Sequence, residues 1–224
     1  WHRQGFNIPV IGLTGTNGKT TTKELVNAVL STRYRVLATE GNLNNSIGVP
    51  MTLFNISMRT QIAVVEMGAS HPGDIKELVD IALPNYGLIT NVGKAHLQGF
   101  GSFDGVKKTK GELYDYLQRH NGTAFVNIDS DDLFRMCDDR PELIPITYGV
   151  KHQGVEILPV TSSEPFLRMK IGGVVLKTHL VGGYNADNVL AALAVGEHFG
   201  VSVEEGMKAI SEYYGSGEAA IMAF

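Results

Sequence analysis

The stretch PVIGLTGTNGKTTT at residues 9–22 is the feature that most constrains how this chain can fold. Val10, Ile11 and Leu13 form a short apolar run that predicts a buried strand, and the glycines after it predict a tight turn into a helix. Such a turn brings backbone N–H groups and the positive end of a helix together, which is how many proteins hold phosphate. The spacing departs from the usual phosphate-binding loop, because Leu13 replaces its first glycine and Gly12 comes one position early.

We expect this variant loop to bind a nucleoside triphosphate. The residues expected to surround the phosphates are Gly15, Thr16, Asn17, Gly18, Lys19, Thr20 and Thr21. Lys19 would reach the terminal phosphates, and the hydroxyl of Thr20 would bind Mg²⁺. The alternative is a glycine-rich turn without a ligand, but the order of strand, GKTT and helix favours the phosphate site.

Composition and charge exclude several classes of protein. A chain of 224 residues with 43% hydrophobic content predicts one large domain, or one domain plus an appendage. The net charge of −4 predicts no general affinity for nucleic acid or for an anionic membrane surface. A membrane helix needs about 18 consecutive apolar residues, and no apolar run in this sequence approaches that length. Cys137 is the single cysteine, which excludes an internal disulfide and indicates a reducing compartment. We therefore expect a cytoplasmic protein. Since the chain begins at Trp1 rather than Met, we expect a piece of a longer protein, and we also expect a monomer.

The order of the elements predicts an α/β fold. Apolar runs alternate with amphipathic helical segments, which is typical of a doubly wound, mostly parallel sheet with the phosphate loop after its first strand. Residues 155–180 instead contain three short β-rich runs separated by turn residues, so we expect a small antiparallel β meander there. The polar, glycine-rich segment 39–50 is predicted to be a loop, in which Asn42, Asn44 and Asn45 either make turns or contact a ligand.

Two further side chains are predicted to emerge at the edge that carries the phosphate loop. Glu66 ends the apolar run at 61–67, and a carboxylate at the carboxyl end of a buried strand is a candidate Mg²⁺ ligand. His96 follows the next apolar run, at 86–92, and is a candidate ligand at the same edge. The alternatives are a solvated acid and a structural histidine.

A lysine lies on the apolar face of a predicted helix at 103–118. At about 100° per residue, Val106, Lys110, Leu113 and Leu117 fall on one narrow stripe, so Lys110 is predicted to face inward. Such a lysine commonly extends to solvent or pairs with an acid. Partial burial would instead lower its pKa and leave a neutral amine, which can react with carbon dioxide to give a carbamate that ligates Mg²⁺.

Five motifs in order resemble those of the Mur ligases, ATP-dependent enzymes that form amide bonds in peptidoglycan synthesis. They are GTNGKTT at 15–21, EMGASHPGDI at 66–75, ITNVGKAHLQGFGS at 89–102, KGEL at 110–113 and YNADNVLAA at 184–192. The combination of GNLNNSIGVP at 41–50 with AHLQGFGS at 95–102 is most similar to the member that adds D-alanyl-D-alanine to a UDP-N-acetylmuramoyl tripeptide.

The resemblance implies roles for individual residues. Lys19 would hold the γ-phosphate, and Thr20 with Glu66 would bind a first Mg²⁺. His96 and a carbamylated Lys110 would bind a second Mg²⁺, so Lys19, His96 and Lys110 form the implied catalytic set.

The resemblance also implies contacts with the bound substrates. Asn185 and Asn188 match asparagines that contact adenine, with Tyr184 in place of the commoner histidine. By position alone, either asparagine could instead cap the helix that starts there. Asn42 and Asn45 lie in the loop that approaches the acceptor nucleotide and the metal.

The implied domain organisation is that of a fragment. Residues 1–7 would be a linker from a missing N-terminal domain, 8–213 the central ATP-binding domain, and 214–224 a linker or an expression-derived tail. Without the N- and C-terminal domains, we expect weak nucleotide binding and no ligation. The alternatives are another Mur ligase, folylpolyglutamate synthase, or a P-loop module that binds nucleotide without catalysis.

Overall fold

The computed structural model describes residues 2–93 and 97–215, and within these ranges the chain forms nine strands and eight α-helices. The strands are β1 (Val10–Thr14), β2 (Val36–Ala38), β3 (Ile62–Glu66), β4 (Tyr86–Ile89), β5 (Thr123–Asn127), β6 (Ile144–Tyr148), β7 (Glu156–Leu158), β8 (Arg168–Ile171) and β9 (Val174–Lys177). The helices are α1 (Lys19–Leu30), α2 (Gly48–Phe54), α3 (Asp74–Ala82), α4 (Leu97–Phe100), α5 (Phe103–Arg119), α6 (Asp131–Asp138), α7 (Asn185–His198) and α8 (Val203–Ser211).

Six parallel strands form the main sheet, in the order β2-β3-β1-β4-β5-β6. The central strand is β1, in which Leu13 lies opposite Glu66 of β3 and Leu88 of β4. Because the strands are parallel, their carboxyl ends share one edge of the sheet. The turn after β1, Glu66 and the end of β4 therefore meet there, and the predicted doubly wound parallel sheet is confirmed.

Helices cover both faces of this sheet, and the alternation of side chains along β1 explains why. Ile11 and Leu13 belong to the core formed with α1, α7 and α8, whereas Val10 belongs to the core formed with α3 and α5. A Cβ at Gly12 would lie 2.6 Å from Cε of Met67, so this glycine serves packing inside the strand. None of the helices in the described ranges has the length and apolar content needed to cross a membrane.

Strands β7, β8 and β9 form a separate antiparallel sheet, which confirms the predicted meander. Met169 of β8 and Leu176 of β9 are buried in the core that also contains α7 and α8. The small sheet is therefore an extension of the same hydrophobic core.

The segment 39–50 is only partly a loop, because α2 begins within it at Gly48. The side-chain oxygen of Asn45 accepts hydrogen bonds from the amides of Ile47 (3.1 Å) and Gly48 (2.9 Å), which satisfies backbone donors at the start of the helix. Val49 and Leu53 then pack into the core. The prediction was wrong for this part, since polar residues at 40–46 obscured the apolar positions that follow.

Candidate functional site

Two glycines in the turn after β1 leave room for neighbouring side chains to pack closely against the backbone. Gly18 has φ +77° and precedes α1, and a Cβ there would lie 2.7 Å from Oδ1 of Asn188. Gly15 has φ +150°, and a Cβ there would overlap the side chain of Thr90. Only glycine fits both the backbone angle at 18 and the two close approaches.

Residues that follow β4 brace this turn from the side. Asn17 O accepts hydrogen bonds from Thr90 Oγ1 (2.6 Å) and Asn91 Nδ2 (2.9 Å), and Asn17 N donates to Asn91 Oδ1 (3.0 Å). Thr16 N donates to the carbonyl of Asn91, and its hydroxyl accepts from Gly93 N. Thr90 and Asn91 were not predicted as site residues, although their place at the end of β4 was the available signal.

Lys19 opens α1 with its ammonium turned back over the turn. Its Nζ donates to the carbonyls of Gly15 (3.0 Å) and Thr16 (3.2 Å). Burial lowers the pKa of Lys19, and the negative charge of Glu66 partly offsets this. Thr21 lies half-buried in the first turn of α1, and its side chain makes no hydrogen bond to a described residue.

Glu66 is a buried carboxylate at the end of β3, with 1% of its surface exposed. It accepts hydrogen bonds from the hydroxyl of Thr20 (3.2 Å to Oε2) and from Nδ2 of Asn44 (2.9 Å to Oε1). A hydroxyl and a carboxylate facing each other are the hard oxygen donors that Mg²⁺ prefers. No group of three or more His, Cys, Asp or Glu residues in the described part of the chain could hold a metal alone. These two residues fit Mg²⁺ that takes its remaining ligands from water and phosphate.

Lys110 faces inward from α5, as the helical phase predicted, with 3% of its surface exposed. Its Nζ lies 5.8 Å from the ring centre of Phe100 and has no hydrogen bond or ion pair with any described residue. Burial, and secondarily the positive charge of Lys19, lower the pKa of Lys110 to about 8. His96, the other predicted ligand of the second metal, lies outside the described residues.

Asn185 and Asn188 are buried and form a hydrogen-bonded chain between α7 and α1. Thr22 Oγ1 donates to Asn188 Oδ1 (3.0 Å), and Asn188 Nδ2 donates to Asn185 Oδ1 (2.8 Å). Asn185 Nδ2 in turn donates to the carbonyl of Val181 (2.8 Å). Neither side chain caps α7, whose N-terminal cap is the exposed Tyr184. The two amides are thus anchored beside Gly18, and contact with adenine stays a prediction.

The loop before α2 carries three asparagines with different contacts. Asn42 is exposed, and Asn45 caps α2, whereas Asn44 reaches the carboxylate of Glu66. The residues of the loop predicted to approach the acceptor were Asn42 and Asn45, whereas Asn44 is the one that contacts Glu66. Neighbouring residues of the same type in a loop offer no periodicity that could have told them apart.

Comparison with known proteins places this geometry in a family. The profile described as the Mur ligase middle domain matches residues 13–196. The UDP-N-acetylmuramoyl-tripeptide–D-alanyl-D-alanine ligase of Bacillus subtilis is 37% identical over 214 residues, which cover 93% of this chain and 45% of that relative. The enzyme of the same name from Escherichia coli is 37% identical over 210 residues, which cover 91% of this chain and 46% of that relative.

Solved structures give the same result. A crystal structure of MurF from Acinetobacter baumannii superimposes with a TM-score of 0.84 at 32% identity, covering 96% of this chain and 48% of that one. MurF ligase from Thermotoga maritima, in complex with ADP, superimposes with a TM-score of 0.80 at 28% identity, covering 95% of this chain and 50% of that one. The chain thus spans about half the length of the proteins it matches.

Proposed function

The chain belongs to the Mur ligase family as a middle domain, and we propose that it is the ATP-binding domain of a ligase of the MurF type. The complete enzyme would add D-alanyl-D-alanine to a UDP-N-acetylmuramoyl tripeptide in peptidoglycan synthesis. One observation supports the ATP-binding role above all: Lys19, Thr20 and the buried Glu66 converge at one edge of the sheet. That arrangement suits a triphosphate with its divalent cation.

The residues of the turn would bind the nucleotide. Lys19 would exchange its bonds to the carbonyls of Gly15 and Thr16 for bonds to the terminal phosphates. Thr20 and Glu66 would hold Mg²⁺, which neutralises charge on the transferring phosphoryl group. Gly18 leaves the start of α1 open, so backbone N–H groups and the helix dipole face the phosphates.

The reaction would proceed in two steps. A carboxylate oxygen of the tripeptide attacks the γ-phosphorus, ADP leaves, and an acyl phosphate forms. The amine of D-alanyl-D-alanine then attacks the acyl carbon, and phosphate leaves through a tetrahedral intermediate as the amine loses a proton. Positioning and charge neutralisation supply most of the catalysis in such a scheme.

Lys110 would act as a carbamate at this site. Its lowered pKa leaves part of the population with a neutral amine, and no described residue competes for that amine. The carbamate oxygens would become further hard ligands for a cation, together with His96. Replacing a buried ammonium by an anion would also remove its repulsion with Lys19.

The remaining contacts need the rest of the enzyme. Asn42 and Asn45 would approach the acceptor, and Asn185 and Asn188 would lie near adenine. Because the chain spans about half the length of its relatives, we propose that the remaining domains of the full-length protein hold the UDP group and close over ATP. The isolated chain should then bind nucleotide weakly and form no product.

The proposal is tested by phosphate release from the full-length protein with ATP, UDP-N-acetylmuramoyl tripeptide and D-alanyl-D-alanine. Glu66→Gln should reduce the rate roughly 100-fold, since it removes a charged Mg²⁺ ligand. Glu77→Gln, which alters an exposed acid on α3, is the matched control and should leave the rate unchanged. Nucleotide binding by the full-length protein without any pentapeptide product would favour a non-catalytic switch and contradict the ligase assignment.

A further inference from the structure

Lys23 carries its ammonium group into the protein interior, one helical turn beyond Lys19. Its side chain is fully buried. Its Nζ donates to the carbonyls of Thr39 (2.6 Å) and Gly41 (3.5 Å), and it forms an ion pair with Oε1 of Glu24 (2.9 Å). An ammonium group has three N–H donors, so these three acceptors match its full capacity.

The two carbonyls lie where the chain leaves β2 for residues 39–45, which we call the asparagine loop. Both ends of this loop contact Glu66. At the beginning, Thr39 Oγ1 accepts a hydrogen bond from the amide of Glu66 (2.9 Å). At the end, Asn44 Nδ2 donates to Oε1 of Glu66 (2.9 Å), and the Asn44 carbonyl accepts from Gly68 N (2.7 Å).

We propose that Lys23 is a positioning residue that holds the asparagine loop against Glu66, and thereby keeps the carboxylate aimed at Thr20. The inference rests on the proposed function, because Glu66 and Thr20 are the pair assigned to Mg²⁺ there. Without the ammonium group, the carbonyls of Thr39 and Gly41 would lose a buried donor and turn towards water. The loop would then withdraw Asn44 from the carboxylate.

Lys23→Met in the full-length protein tests this role. We expect the Mg²⁺ concentration that gives half-maximal phosphate release to rise about 10-fold, as when a partner that orients a metal ligand is removed. A second measurement does not depend on activity: amide hydrogen exchange of residues 39–45 and of Glu66, without nucleotide, should become faster by a similar factor. Val26→Ala removes buried apolar atoms from the same helix and is the matched control. It should lower stability while leaving the Mg²⁺ midpoint and the loop's exchange unchanged.

A double variant tests whether Lys23 acts through the loop. Lys23→Met and Asn44→Ala should shift the Mg²⁺ midpoint less than additively, because both release the same contact with Glu66. If Lys23→Met does not fold, Lys23→Gln takes its place. The Mg²⁺ midpoint and the amide exchange of the asparagine loop should then change in the same direction by a smaller factor.

The outcomes separate this inference from the proposed function. An inactive wild-type enzyme would remove the ligase assignment, and hydrogen exchange would still decide whether Lys23 holds the loop. An active wild-type enzyme and a folded Lys23 variant with unchanged Mg²⁺ midpoint and unchanged exchange would overturn the positioning role, leaving Lys23 a contributor to stability alone.

Discussion

Two lysines are buried to nearly the same extent, Lys23 on α1 and Lys110 on α5, yet their surroundings are opposite. Lys23 is fully buried and has two carbonyls and a carboxylate around its ammonium. Lys110 is 3% exposed and has no hydrogen-bonding or ionic partner among the described residues. Its pKa is lowered to about 8 by burial and by the nearby charge of Lys19.

The difference shows that burial alone does not decide what a lysine does. A buried ammonium with matched acceptors is a structural cation that ties segments together. A buried amine without acceptors loses its proton readily, and a pKa of about 8 leaves roughly one molecule in ten neutral at pH 7. Lys23 is therefore suited to hold a loop, and Lys110 is suited to react.

The largest expected effect is a loss of activity when Lys110 is replaced. In the full-length enzyme, Lys110→Met should reduce phosphate release roughly 100-fold or more, because no carbamate can form to hold the cation that would neutralise charge on the transferring phosphoryl group. Lys108→Met changes an exposed lysine of the same helix and should leave the rate unchanged. A Lys110→Met enzyme within a few-fold of wild type would show that the amine takes no part in the reaction.

The next effect is a loss of folding stability when Lys23 is replaced. Lys23→Met should lower the free energy of unfolding of this chain by roughly 3 kcal/mol, since it leaves the carbonyl of the buried Thr39 without a donor and Glu24 without its partner. Urea denaturation at pH 7 measures this, with Lys108→Met as the control expected within about 0.5 kcal/mol of wild type. A loss no larger than that of the control would mean that the acceptors of Lys23 find water at little cost.

The third effect is a pH dependence of stability that comes from Lys110. Its folded-state pKa of about 8 lies below the ordinary value of 10.5, so between these values the unfolded chain binds more protons than the folded one. Stability contributed by this group therefore rises with pH across that window. At pH 7 Lys110→Met should be more stable than wild type by roughly 2 kcal/mol, and the gap should narrow as the pH rises from 8 towards 10.5. A gap that is constant with pH would contradict the lowered pKa.

The sequence predicted the sheet and the inward face of Lys110 because both follow from periodicity. Buried strands read as apolar runs, and the phase of Lys110 relative to Leu113 and Leu117 is set by helix geometry. The same arithmetic puts Lys23 on the stripe of Val26 and Leu30, so its burial was also readable, although its acceptors were not. Those acceptors are carbonyls of a loop whose path depends on the tertiary fold.

The parts of the site that could not be predicted depend on single positions in loops. Asn44 contacts Glu66 while its neighbour Asn45 caps α2, and no spacing rule distinguishes them. Thr90 and Asn91 brace the turn only because β4 pairs with β1, a long-range consequence of strand order. Residues that act through the packing of distant segments leave no local pattern.

The smallest expected effect is partial carbamylation of the isolated chain. At pH 8 with ¹³C-labelled bicarbonate, the neutral fraction of Lys110 should give a carbamate resonance by NMR that is separate from that of the α-amino group and is lost on acidification. The resonance should vanish in Lys110→Met. It should persist in Lys23→Met, because the ammonium group of Lys23 is held by two carbonyls and a carboxylate and is not expected to form the carbamate. Occupancy should be partial without a cation and should increase with Mg²⁺, since the carbamate oxygens would then have a charge to bind. A signal that depends on Lys23 and survives the loss of Lys110 would reverse the assignment of the two lysines.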